Sequence, residues 1–378
     1  MNLRLLIEEV LGSTSKTHIN EAFDSSMGAT RPLDSGKLIE YINRVITKKR
    51  TNKENPKKTS DYLTMPHIHA SIANKVLVQT AEGETVDIDK FRQILMQRPD
   101  ALLRQNEKMI KSRTFDTEFF NTSLPALKGL VVDEGTGEFK IVDTCPSAGN
   151  CQLVCYAKHG SYVLFPEVSI SQNKALNYLF NDSDGFKRQL ENEIVKVAKR
   201  FQGKKKVQIR WNDSGDLLSP KFFDIVMGIV NNTPMVDHYI YTKEVAMIKA
   251  YPNPPQNVIF NYSYGAKRDQ EKLIDPVKDK VSYIVDTKDK IKEPVLSAII
   301  RFKYIEKKGK NWEYNDSDAT KQVIAQRYKL DPKTILTIDE LSKTPEGASG
   351  QYNVIVLPGE SDLSASRRDV RGTYLIIH

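Results

Sequence analysis

From about residue 200 onward the chain repeats one unit, a short apolar run followed by a stretch of helical spacing. The apolar runs are Val207–Trp211, His238–Tyr241, Val258–Phe260, Val281–Val285 and Val354–Leu357. Helices are expected between them over Pro220–Asn231, Lys243–Ala250, Asp269–Leu273 and Ala319–Tyr328. Two more precede them, over Ser171–Phe180 and Asp184–Phe201. The second carries Phe186, Leu190, Ile194, Val197 and Phe201 on one 3.6-residue stripe. Upstream, Leu130–Val142 reads as a hairpin with Glu134-Gly-Thr-Gly137 as its turn.

Short strands alternating with helices predict a parallel α/β architecture, because each crossover must carry the chain back across the sheet. Counting the hairpin's second strand makes six strands, which suits a partial (β/α)6-type barrel. In such barrels the active site lies at the C-terminal strand ends. The gap from about 288 to 350 is too long for one crossover and is expected to hold a helical insertion. Residues 1–115 read differently. Amphipathic segments at Leu3–Leu11, Lys37–Lys48 and Ile88–Met96 are separated by Ser-, Thr-, Lys- and Asn-rich stretches. This predicts a helical, partly flexible extension ahead of a (β/α) domain over 116–378, and an arm of that kind could bind a protein partner.

Composition excludes some classes and leaves others open. With 39% hydrophobic and 28% charged residues, the chain has no apolar run of about 18 residues, so no membrane-spanning helix is expected. Acids at Glu8 and Glu9 interrupt what a signal peptide would need, and a cytoplasmic location is expected. The net charge of +8 and the pI near 9.0 are compatible with a nucleotide or nucleic-acid partner. Basic runs such as Lys204-Lys205-Lys206 also read simply as a solvated helix end.

All three cysteines fall in one window, Thr144-Cys145-Pro146-Ser147-Ala148-Gly149-Asn150-Cys151, followed by Cys155-Tyr156-Ala157. Three thiols with no fourth cannot form a paired disulfide framework. Three thiolates brought to one place are what a metal ion or an iron–sulfur cluster requires. His159 completes a C-x5-C-x3-C-x3-H set that resembles a shortened CCCH zinc knuckle, and that resemblance implies a zinc site in a module that binds single-stranded RNA. Polar residues end the other strands: Arg210 through Asp216, Tyr241-Thr242-Lys243, and Asn261 through Gly265. Read together with the thiols, they describe the rim of a pocket. Asp216 reads equally as the cap of a helix starting near Ser219-Pro220. His67 and His69, at i and i+2, read as a candidate ligand pair or as an ordinary surface pair.

A cysteine loop after a first strand, with an aromatic residue directly after the third thiol, resembles the radical S-adenosylmethionine superfamily. More narrowly, the cysteine run together with Ser214-Gly215-Asp216 and Tyr241-Thr242-Lys243 resembles the phage family named for gene product eighty-eight, over roughly residues 120–290 and more weakly over the last 25. The resemblance implies a four-iron four-sulfur cluster on Cys145, Cys151 and Cys155, with one iron left for the amino and carboxylate groups of S-adenosylmethionine. It implies cofactor contacts from Tyr156, Ser214, Gly215 and Asp216. It also places Asn261 and Ser263 at the ribose or carboxylate, and Lys243 or Arg210 at an anionic group. An enzyme of this kind would need an external electron donor, and a phage protein would work in the host cytoplasm. The spacing C-x5-C-x3-C departs from the superfamily's C-x3-C-x2-C, so the loop must take a different path. The run Leu357–Arg368 carries no cysteine, so no second metal site is expected.

Overall fold

In the computed structural model the described residues are 23–50, 64–81, 83–153, 155–158, 161–275, 278–286, 331–348, 353–356 and 362–377, with a few positions between 318 and 329. Thirteen strands run in sequence among them. They are β1 Thr30–Leu33, β2 Leu77–Thr80, β3 Gly83–Val86, β4 Thr117–Asn121, β5 Lys128–Val132, β6 Phe139–Asp143, β7 Lys206–Trp211, β8 Asp237–Thr242, β9 Val258–Ser263, β10 Val281–Asp286, β11 Ile335–Thr337, β12 Asn353–Val356 and β13 Val370–Ile377.

Eight of these form one sheet in the order β11-β12-β13-β10-β9-β8-β7-β4, and every neighbouring pair is parallel. Five of the six expected strands, β7 to β10 and β12, lie in it, joined by β4, β11 and β13, so the parallel α/β core is as expected. The edge strands β11 and β4 do not pair with each other, so the described sheet is open. The first parallel strand is β4. The hairpin's second strand, expected to begin the parallel sheet, belongs instead to a separate antiparallel sheet ordered β1-β6-β5. The C-terminal segment supplies β13 between β10 and β12. The stretch expected to be a helical insertion contains β11, a strand that follows directly into the capped helix Ile338–Lys343.

One face of the parallel sheet is covered by the helices Pro166–Asn181, Ser183–Phe201 and Pro220–Asn232, and its core gathers Phe120, Ile209, Trp211, Ile240, Leu190, Phe222 and Phe223. The opposite, inner face is covered by the short helices Glu107–Lys111, Ile338–Lys343 and Leu363–Ser366 around Phe119, Tyr239 and Ile259. Period-2 alternation sorts the two sets, so on β7 Ile209 and Trp211 face one layer while Gln208 and Arg210 face the other.

Residues 1–115 were expected to be helical. Their described part adds three strands to its helices, and β1 pairs with β6. Leu38, Ile42, Phe91 and Leu95 share one core with Leu130, Phe139 and Ile141 of the hairpin. The outer edge of β5 is closed by an asparagine ladder on the helix Pro166–Asn181. Asn173 and Asn177 accept the Leu130 and Val132 N–H groups at 2.9 and 2.7 Å, while Asn177 and Asn181 donate to the Leu130 and Val132 carbonyls at 2.8 and 2.9 Å. The i, i+4 spacing places all three amides along one line, so the outward backbone groups of Leu130 and Val132 are taken and cannot pair with another chain.

Candidate functional site: the cysteine rim

The cysteine loop follows β6, yet it lies over the C-terminal ends of β7, β8 and β9. Each contact is specific. The Asp216 N–H, beyond β7, donates to the Thr144 carbonyl at 2.8 Å. Beyond β8, the Glu244 carboxylate accepts the Ser147 N–H at 2.9 Å and the Ser147 hydroxyl at 2.8 Å. Beyond β9, the Gly265 carbonyl accepts both the Gly149 and Cys151 N–H groups at 3.0 Å. Two glycines allow this approach. A Cβ on Gly149 would lie 2.1 Å from the Ala266 carbonyl oxygen, and Gly265, at φ +89°, has Cys151 Cβ 3.0 Å from where its own would be. The rim inferred from polar strand ends is thus assembled, although the loop enters it from the antiparallel sheet.

The three thiols share one electrostatic environment. Cys145 is half-buried as a residue, but its sulfur lies deep enough that burial, reinforced by Asp216 and Cys155, pushes its pKa well above the ordinary thiol value. The Leu127 N–H donates to Cys145 Sγ at 3.4 Å and works in the opposite direction. Burial also raises the Cys151 thiol, against the pull of Lys243. Burial likewise opposes the charge on Lys243, but Cys151, Asp216, Cys145 and Cys155 outweigh it, and its pKa is raised. Lys243 thus carries its charge within electrostatic reach of all three thiols. Glu244 is pushed up to about 7, by burial first and then by Asp216.

Asp216 is committed to the frame. Its carboxylate accepts the Leu217 N–H at 2.8 Å, the Thr242 hydroxyl at 2.7 Å and the Lys243 N–H at 3.0 Å. It ties the end of β7 to the end of β8. The helix cap it was read as is supplied by Ser219, whose hydroxyl accepts the Phe222 N–H at 3.0 Å. Ser214 is likewise structural, donating to the Leu124 carbonyl and accepting from Gln172 Nε2 at 2.9 Å. Gly215, at φ +78°, lets the β7 loop pass against Leu124, 2.9 Å from where a Cβ would sit.

Arg210 does not present a free cation. Its Nη1 donates to both oxygens of Asp362 at 2.8 and 3.0 Å, and Asp362 is 0% exposed. Asn261 Nδ2 donates to the Ala365 carbonyl at 3.2 Å, leaving its buried Oδ1 without a partner. Ser263 is buried beside Ser282, its register partner on β10. Tyr156 is half-exposed, packs edge-on against Tyr162 and has its hydroxyl 3.4 Å from Arg210 Nη2. His159, the expected fourth ligand of a zinc site, lies outside the described residues. His69 caps the helix Ala70–Lys75, accepting the Ser71 N–H at 3.0 Å, and so is no strand-borne ligand.

A narrow cleft, with room for about 20 Å³, opens between the helix Pro166–Asn181 and the loop before β5. His67, Leu127, Ala157, Tyr162, Gln172 and Asn173 are among its walls. Among the described residues no group of three or more His, Cys, Asp or Glu side chains is arranged to hold a metal ion. A single zinc, at about 2.3 Å from each sulfur, would require the thiols within roughly 4 Å of one another. Thiolates that each bind a different iron of a cluster need not meet so closely.

A family model described as gene product 88 matches residues 100–327, more than half of the chain. The chain belongs to the gene product 88 family. The matched span begins ahead of β4 and runs past β10, so the family unit includes the cysteine rim and the five sheet strands β4 and β7 to β10. Comparison with curated proteins and with solved structures gave no match. No helix among the described residues is long and apolar enough to cross a membrane.

Proposed function

We propose that this gene product 88 chain is an iron–sulfur enzyme of the radical S-adenosylmethionine type, acting on a nucleotide or nucleic-acid substrate inside a partial barrel. One observation carries the reading. A single loop bearing all three thiols spans the C-terminal ends of three consecutive parallel strands, with the Lys243 charge within electrostatic reach of all three. The donor set fits a four-iron four-sulfur cluster. Cys145, Cys151 and Cys155 would hold such a cluster as three soft thiolates, and Lys243 would offset part of the charge that they bring. When bound, the cluster would supply the electron for reductive cleavage of S-adenosylmethionine, drawn in turn from an external donor.

The chain's own residues do the rest. Glu244 fixes Ser147 and with it the start of the loop, Gly149 and Gly265 let the loop close on β9, and Asp216 holds Lys243 in place. The apolar core behind β7 to β9 keeps water from the sheet side.

Anaerobic purification followed by iron, sulfide and zinc analysis is the test. About four irons and four sulfides per chain are expected, lost in Cys151→Ala while the circular dichroism spectrum is kept. Adding reductant and S-adenosylmethionine should yield deoxyadenosine. Stoichiometric zinc that survives air would replace this reading with a zinc-containing nucleic-acid-binding protein, and a cluster without deoxyadenosine would leave a non-catalytic interaction protein.

A further inference from the structure

One residue beside the thiols breaks a backbone rule. Among the described residues four that are not glycine have positive φ: Leu127, Asn212, Asn253 and Lys329. Asparagine enters that region readily because its short side chain bonds locally, whereas the Cβ of a leucine clashes there. Leu127, at φ +62°, is the centre of a three-residue turn closed by the Lys128 N–H on the Ala126 carbonyl at 2.7 Å. A γ-turn with positive φ at its centre is the rare and strained kind. Leu127 is also buried, at 5% exposure, between Leu124, whose N–H donates to the Ser214 carbonyl, and the start of β5 at Lys128.

Holding the turn in this shape aims both Leu127 backbone groups at the cysteine loop. The N–H donates to Cys145 Sγ at 3.4 Å, and the carbonyl accepts the Thr144 N–H at 3.1 Å. The two groups lie on opposite sides of the bond that φ describes, so relaxing φ to the ordinary negative range cannot keep both hydrogen bonds. Strained backbone persists only where its surroundings over-determine it, and it gathers at functional sites. Cys151 is held by other means. Its N–H donates to the Gly265 carbonyl at 3.0 Å, and the Gly265 N–H donates to Glu271 Oε1 at 2.6 Å. The loop is thus gripped at two separate points, one just ahead of β5 and one just beyond β9.

We propose that Leu127 is a positioning residue for the thiol centre: its strained turn fixes Cys145 Sγ and gives that sulfur a hydrogen bond, while Cys151 is set independently from β9. In a bound cluster the Leu127 N–H would draw charge from that one sulfur, and hydrogen bonds to sulfur help to set a cluster's potential. The inference rests on the proposed function only in naming what the sulfur would bind, since the grip belongs to the metal-free chain.

The test follows alkylation of the folded, metal-free chain by iodoacetamide, read cysteine by cysteine by mass spectrometry. A sulfur this buried reacts only when its loop opens, so the rate reports how firmly the loop is held. Valine resists positive φ and glycine accepts it, yet glycine removes more of the buried side chain. Leu127→Val should alkylate at Cys145 about fivefold or more faster than wild type, the size expected for a lost hydrogen bond, with Cys151 changed by less than about twofold. Leu127→Gly should be slower at Cys145 than Leu127→Val. A glycine variant as fast as the valine one would mean that the side chain does the holding. Equal rises at Cys145 and Cys151 would mean that the loop opens as one piece. Either result overturns the proposal, as does an unchanged Cys145 rate in Leu127→Val. If Leu127→Val does not fold, a backbone ester at position 127, which replaces the N–H by oxygen, decides in its place. It should speed Cys145 by a similar factor, and an unchanged rate overturns the proposal. In the iron-loaded chain Leu127→Val should lower the reduction potential relative to wild type, and an unchanged potential with the cluster in place also overturns it. A missing cluster alongside the expected alkylation pattern would sink only the proposed radical chemistry.

Discussion

The two faces of the parallel sheet are built on opposite terms. Behind the strands, Trp211, Ile240, Phe222 and Phe223 pack among helices, Tyr178 alone of that core keeps a buried polar atom without a partner among the described residues, and both ring nitrogens of the buried His238 are paired. Trp211 Nε1 donates to its Nδ1 at 3.1 Å and its Nε2 meets the Thr233 hydroxyl at 2.9 Å. On the inner face, Gln208, Arg210, Asn261, Ser282, Ser364 and Thr373 each keep a buried polar atom without a partner. Ser263, Ser282 and Thr373 even stand in one row across β9, β10 and β13. Parallel sheets covered on both sides are ordinarily apolar on both. A face this polar, in a layer this deep, is a surface made for something other than holding the sheet together, whereas the helix-covered face supplies the stability that lets it exist.

The sharpest way to break that contrast is the buried pair that holds the inner cover down. Asp362→Asn leaves Arg210 buried and uncompensated and should destabilise the chain by about 3–5 kcal/mol in urea unfolding. The double change Arg210→Met with Asp362→Leu should recover most of that loss, since a buried pair often contributes little net stability against an apolar replacement. If the single and double variants lose stability equally, the inner face is an ordinary core after all.

A smaller effect tests the opposite face. Burial lowers the His238 pKa to about 3, so the folded chain keeps it neutral while the unfolded chain protonates near 6.5. A depressed histidine contributes stability that is present above pH 6.5 and is lost as pH falls toward 3, at up to ~1.4 kcal/mol per pH unit. Between pH 7 and pH 5 the wild type should lose about 2 kcal/mol through this group, a difference that His238→Gln removes. His67, lowered to about 4 by burial and by His69, adds its own slope to both chains and cancels in the comparison.

The smallest effect is Ser219→Ala. It removes the cap of the helix Pro220–Asn232 and should cost about 1 kcal/mol with no change in metal content. A loss of iron in that variant would mean that Ser219 supports the rim as well as the helix.

Much of the helix-covered face was legible in the sequence, because its signals are local. The stripe from Phe186 to Phe201 and the β-branched runs of β7 to β10 are readable within a few residues. β4 was not, since Glu118 and Asn121 flank its two phenylalanines and no clear alternation survives. β1 carries Pro32, which fits only an edge strand. The hairpin was readable as a hairpin, but nothing within it states which sheet it joins. On the rim, Lys243 and the thiols could be found by type, and Asp216 too, although its partners make it a strut. Asp362 and Asp213 could not. Arg210 lies 152 residues from Asp362, and Asn106 lies 107 from Asp213, so neither pairing leaves a trace in local spacing.

The strand order has a consequence in time. On a ribosome β4, β7, β8, β9 and β10 emerge in the order in which they pair, so the cysteine loop can seat on its three strand ends early. The inner cover at Leu363–Ser366 and the strand β13 emerge only afterward, roughly 4–15 s later at ~5–20 residues per second. During that interval the nascent chain has the strand ends of the rim in place while the inner face is covered, among the described helices, only by Glu107–Lys111. The thiol rim can therefore form before the fold closes, and any ligand of the rim would find its easiest access on the growing chain.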